Sequence, residues 1–141
     1  MTLQLGLLSP WLAALWWGSL TTVGFGVVPM LFANLPTLAM AGNMAAKLFA
    51  AQTWVALVCG LMLLLTSRLN QPPAQTERAH KALLFIVAGM LLALLSEFVV
   101  APHIVARENL RLWHSLGTGL YVAQWLCAGV TFKKLMVDTS V

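Results

Sequence analysis

Hydrophobic and polar positions segregate along this chain into long blocks, with charge confined to the seams between them. No charged side chain precedes Lys47, and further uncharged runs cover 48–67, 82–96 and 115–132. A helix rises about 1.5 Å per residue and needs about 20 residues to cross the hydrocarbon core. The runs, with their flanks, therefore predict four helices, at approximately Pro10–Ala33, Ala45–Ser67, Lys81–Val100 and Leu112–Met136. In lipid every backbone polar group must bond within its own segment, so a small spanning bundle has to be helical. The expected fold is all-α, an integral membrane bundle of four transmembrane helices in a single domain, 1–141.

The connections differ in character. "NLPTLAMAGN" carries a proline, a glycine and no charge, and is expected to lie along the interface. "SRLNQPPAQTERAH" is the most water-like stretch; its Pro72-Pro73 pair favours extended backbone, and Thr76 followed by Glu77 suits the start of the third helix. The third connection lies within "EFVVAPHIVARENLRLWHS", residues 97–115, which gathers two of the four acidic residues and two of the three histidines.

Composition agrees with the pattern. Hydrophobic residues make up 60% of 141 and charged residues 9%, against about 25% charged in a soluble domain. Mean hydropathy is +0.87. A water-facing surface cannot be built from such a chain. Ala39-Met40-Ala41 mimics a signal-peptide cleavage site, but no Lys or Arg precedes it and the apolar stretch is too long, so cleavage is not expected. The net charge of +4 comes from eight Lys and Arg spread over the span ends. That distribution fits lipid headgroups rather than nucleic acid. Cys59 and Cys127 sit deep in apolar runs and read as buried, inert thiols.

With four spans, Arg68, Arg78, Lys81, Lys133 and Lys134 share a side with both termini, and Lys47, Arg107 and Arg111 fall opposite. The bias places both termini in the cytoplasm of a bacterial inner membrane. Trp11 and Trp113 fall near span ends as interfacial anchors, whereas Trp16, Trp17, Trp54 and Trp125 fall deeper and read as bulk. Gly18, Thr22 and Gly26 form a small-residue ribbon on the first span; Ser115, Gly119, Ala123 and Cys127 do so on the fourth. Such ribbons let helices approach closely in lipid, within one chain or between copies.

Depth brings scattered polar residues to one mouth. Glu97 lies roughly 24 Å along the third helix from Lys81, near the far boundary. Lys47 opens the second helix there, His114 the fourth, and His103, Arg107 and Arg111 lie between. A carboxylate near lipid needs a partner, and Lys47, His114 and Arg111 are the candidates for Glu97. Two readings follow for Lys47, Glu97, His103, Arg107, Arg111 and His114: a binding site for an ion, metal or lipid headgroup, or a structural ion pair with solvated neighbours. His114 is expected to turn inward onto Glu97 or a backbone carbonyl.

Catalytic triads, glycine-rich phosphate loops and zinc spacings are absent from the sequence. Haem would need an axial His or Met within the bundle, and Met30, Met90 and His114 are accounted for as filler and interface. No catalytic residue, resident metal or cofactor is expected.

"LWWGSLTTVGFGVVPMLFANLP", "AGNMAAKLFA" and "RLWHSLGTG" together resemble the transmembrane-protein-205-like family of small four-helix membrane proteins, whose bacterial members form a domain-of-unknown-function family. The resemblance rests on Trp17, Gly18, Ser19, Pro29, Phe32, Gly42, Leu48, Phe49, His114 and Ser115. Where relatives often carry Leu-His-Gly, this chain has Trp113-His114-Ser115. The resemblance implies fold and location but no activity. The sequence therefore supports a non-enzymatic membrane component whose partners are the bilayer and either copies of itself or a larger membrane complex, without nucleic acid. The alternative is transport or binding at the polar mouth on the non-cytoplasmic side.

Overall fold

The structure, a computed structural model, describes residues 2–69 and 76–138, with side chains over 8–67 and 82–136. All regular structure in it is helical. α1 (Thr2–Thr21) runs through a wide π-helical turn, Thr22–Val27, into α2 (Val28–Asn34). α3 (Leu38–Leu69) returns. α4 (Thr76–Leu95) continues through a second π-helical turn, Ser96–Val100, into α5 (Ala101–Val105), and α6 (Leu110–Asp138) ends the fold. Four rods result, each packed against the next in sequence, with α6 closing onto α1. Among the described residues, three rods are long and apolar enough to cross a membrane: Leu8–Asn34, Leu38–Ser67 and Ala82–Val105.

Both wide turns have a shared cause. Each immediately precedes a proline in a Phe-x-x-x-Pro stretch, "FGVVP" at 25–29 and "FVVAP" at 98–102. Proline offers no N–H to the carbonyl four residues back, so the ladder shifts register: Val28 N–H bonds to Val23 O and Ala101 N–H to Ser96 O. A wide turn inside a helix accommodates this without breaking the rod.

The rods outrun the predicted bounds at both far-side connections. The expected 34–43 connection shrinks to 35–37. Leu35 turns extended ahead of Pro36, and Thr37 then caps α3 by accepting the Met40 N–H at 3.2 Å. Gly42 lies inside that helix. The third helix reaches Val105 rather than Val100, so His103 stands on a helix and not in a loop. Helix α4 is described from Thr76 onward; Pro72-Pro73 and Gln75 lie outside the described residues.

The core sets small residues against a few large ones, Trp16, Leu20, Leu63 and Ile86. Ala13, Ala56, Ala93 and Ala128 are buried, and Trp16 is fully buried among them. A Cβ on Gly89 would come within 2.6 Å of Trp16 Cη2, so the indole of α1 reaches across to α4 through that gap. Two further sockets of this kind seat Tyr121 on Gly24 and Trp17 on Gly129. The outside is the reverse: Leu84, Trp54 and Phe98 are at least 65% exposed. Contiguous apolar surface of that kind suits lipid contact.

Candidate functional site

The turn between α5 and α6 is where polar groups come together. α5 ends in a Schellman arrangement: Arg107 N–H donates to Ile104 O at 3.1 Å and Glu108 N–H to His103 O at 3.0 Å. Arg107 occupies the left-handed position usually given to glycine, with φ 57°, and Asn109 follows at φ 32°. Asn109 O then accepts the Leu112 and Trp113 N–H groups that open α6.

This tight reversal folds Glu108 back onto the last turn of α5. His103 Nδ1 and Glu108 Oε2 lie 2.6 Å apart. The His103 ring stacks on Trp113, centroids 4.0 Å apart and planes 7° from parallel. The imidazole is thus held on one edge by a carboxylate and on one face by an indole. Both side chains remain partly exposed, 40% and 61%, so water screens the pair strongly.

The other anticipated site residues do not join this cluster. Lys47 is exposed on α3, and Glu97 is half-buried in the wide turn; among the described residues, His103–Glu108 is the one ion pair. The expected pairing of Glu97 with Lys47, Arg111 or His114 is therefore not formed. Arg107 and Arg111 are exposed. His114 corrects the expectation of an inward imidazole. It is exposed, its ring has no hydrogen-bond partner among the described residues, and its carbonyl accepts the Thr118 hydroxyl at 2.8 Å. The physical reason is the longer helix. Because α6 starts at Leu110, His114 already lies one turn in, on an outward face, while Trp113 takes the inner position. Among the described residues, no group of three or more His, Cys, Asp or Glu side chains comes together to hold a metal.

A second polar arrangement, which the sequence reading passed over, lies inside the bundle. Gln52 Nε2 on α3 donates to Ser19 Oγ at 2.9 Å, and Ser19 Oγ donates to Trp16 O. Trp125 Nε1 on α6 donates to Thr21 Oγ1 at 2.9 Å, and Thr21 Oγ1 donates to Trp17 O. Tyr121 OH donates to Leu20 O at 2.7 Å. One turn of α1, just before its wide segment, thus receives relays from both neighbouring rods. Such bonds are expected to be stronger glue in lipid than in water. Gln124, 3% exposed, also points inward, and its Nε2 has no partner among the described residues. The available signal was Gln52 and Gln124 themselves, amides within uncharged runs.

No curated protein and no solved structure matches the chain. Residues 11–112 match the family described as a domain of unknown function (DUF4149). That match takes in the first rod from Trp11 onward, the second and third rods and the whole α5–α6 turn, so the chain belongs to the DUF4149 family.

Proposed function

We propose that this is a four-span protein of a bacterial inner membrane, with both termini cytoplasmic, that acts without catalysis as a self-associating or accessory component of a membrane assembly. Helix α6 is the fourth span in this reading. It is less apolar than the others because its polar groups serve the interior: Gln124 and Thr131 are buried, while Val122 and Leu126 face outward. Its 29 residues would extend about 43 Å, ample for the hydrocarbon core. The resemblance to transmembrane-protein-205-like proteins supports the location and adds no activity.

One observation carries the self-association. A Cβ on Gly18 or on Gly26 would meet nothing within 4 Å, and Thr22 between them is exposed. The small-residue ribbon of α1 therefore faces away from its own bundle, whereas Gly24 and Gly89 are filled by neighbouring aromatics. Small residues left open on a lipid-facing helix suit close approach by another helix. With Cys59 and Cys127 replaced by alanine, Thr22→Cys should form a crosslinked dimer in native membranes. Leu91→Cys, on the exposed side of α4, should not. A chain that stays monomeric in both variants and purifies alone from mild detergent would contradict the proposal.

The second reading is binding or transport at the polar mouth. Its support is the His103–Glu108 pair, with the His103 ring stacked on Trp113, together with the half-buried carboxylate of Glu97. Under it, Glu97→Gln abolishes an ion- or metal-dependent phenotype while the bundle stays intact. Under the packing reading, the same change alters detergent stability alone.

A further inference from the structure

We infer that the outer groove between α1 and α6 is a binding site for an anionic phospholipid, its acyl chain laid along the aromatic wall and its phosphate on Lys133. The inference rests on the membrane-spanning reading above. The groove has a volume of about 570 Å³ and is lined by Trp17, Trp125, Leu126, Gly129, Phe132 and Lys133, among others. Its walls are stiff. Trp17 lies 5.9 Å from both Trp125 and Phe132, centroid to centroid, and Phe25 meets Trp125 edge-on at 5.5 Å. Gly129 makes the floor: a Cβ there would lie 2.9 Å from Trp17 Nε1, so any side chain would displace the indole. A preformed apolar trough costs little ordering when a flexible chain enters it.

Charge selects the ligand class. Lys133 lines the trough toward the C-terminal end of α6 and is exposed, while its neighbour Lys134 is turned to the Phe85 ring, 5.9 Å from its centroid. The single ion pair among the described residues, His103–Glu108, is at the opposite end of the bundle from Lys133. Position adds to this. Lys133 lies roughly 28 Å along α6 from His114, which is one hydrocarbon thickness, and that depth is where a phosphate sits. On the orientation proposed above, this is the cytoplasmic leaflet, the leaflet with the more negative surface. An apolar tail joined to an anionic head matches the trough and its exposed cation.

The test uses the full chain extracted in mild detergent and exposed to an equimolar mixture of phosphatidylglycerol and phosphatidylcholine, with bound lipid counted by native mass spectrometry. Retention of phosphatidylglycerol should exceed that of phosphatidylcholine about five-fold, the factor equivalent to about 1 kcal/mol for one basic residue at an anionic surface. Lys133→Gln should bring the ratio near one with total lipid little changed. Leu126→Trp, which fills the trough from an exposed position, should reduce both lipids. Equal retention by the natural chain, an undiminished preference in Lys133→Gln, or unchanged retention in Leu126→Trp would overturn the site. So would a Leu126→Cys crosslink between two copies, which would make the groove a protein contact. A chain released from membranes without detergent would instead refute the membrane reading itself.

Discussion

Tyr121 carries more of this fold than any charged residue does. Its ring fills the gap left by Gly24, and its hydroxyl donates to Leu20 O at the start of the first wide turn. Tyr121→Phe keeps the ring and removes the bond, so it should cost about 1 kcal/mol, read as a shift in the detergent-unfolding midpoint. His114→Ala should cost less than about 0.5 kcal/mol in the same assay, because an exposed side chain without a polar partner is near neutral. The sequence pointed to His114 instead. It marked His114 through its charge and its place in a motif, and it passed over Tyr121. Depth along a helix is readable from a sequence, but the side of the helix a residue faces depends on where that helix starts. A start two residues earlier than predicted gave the inner position to Trp113 and left His114 outside.

At the scale of elements, the glycines divide into filled and open ones. A Cβ on Gly89 would meet the Trp16 ring at 2.6 and 2.8 Å, and that ring is packed on all sides. Gly89→Ala should therefore destabilise the bundle by about 1–3 kcal/mol, the usual cost of overpacking a filled core. Gly18→Ala should leave the stability of the single bundle unchanged and, on the proposed association, weaken dimer crosslinking through Thr22→Cys. Unfolding curves and crosslinking yields measured on the two variants separate these effects. The existence and order of the rods were legible because blocks of apolar residues this long leave few alternatives to helix. The rod ends and the wide turns were not. Thr37 capping α3 and the register shifts before Pro29 and Pro102 arise from one or two residues each. The paired Phe-x-x-x-Pro stretches were the visible sign of the latter.

For the whole molecule, the surface decides the environment and the interior decides the architecture. Large apolar side chains cover the outside, and the polar relays from Gln52, Tyr121 and Trp125 converge on α1 within. Helix α6 supplies two of those relays, so it belongs to the bundle as fully as the three more apolar rods. Whether α6 crosses the membrane therefore decides the four-span architecture. The direct measurement is sided labelling of single cysteines in intact cells, with Cys59 and Cys127 replaced. Ala106→Cys, in the exposed turn before α6, should react with an impermeant thiol reagent from outside. Gln75→Cys and Thr139→Cys should react only after the membrane is opened. Ala106→Cys and Thr139→Cys labelling from the same side would contradict the four-span bundle.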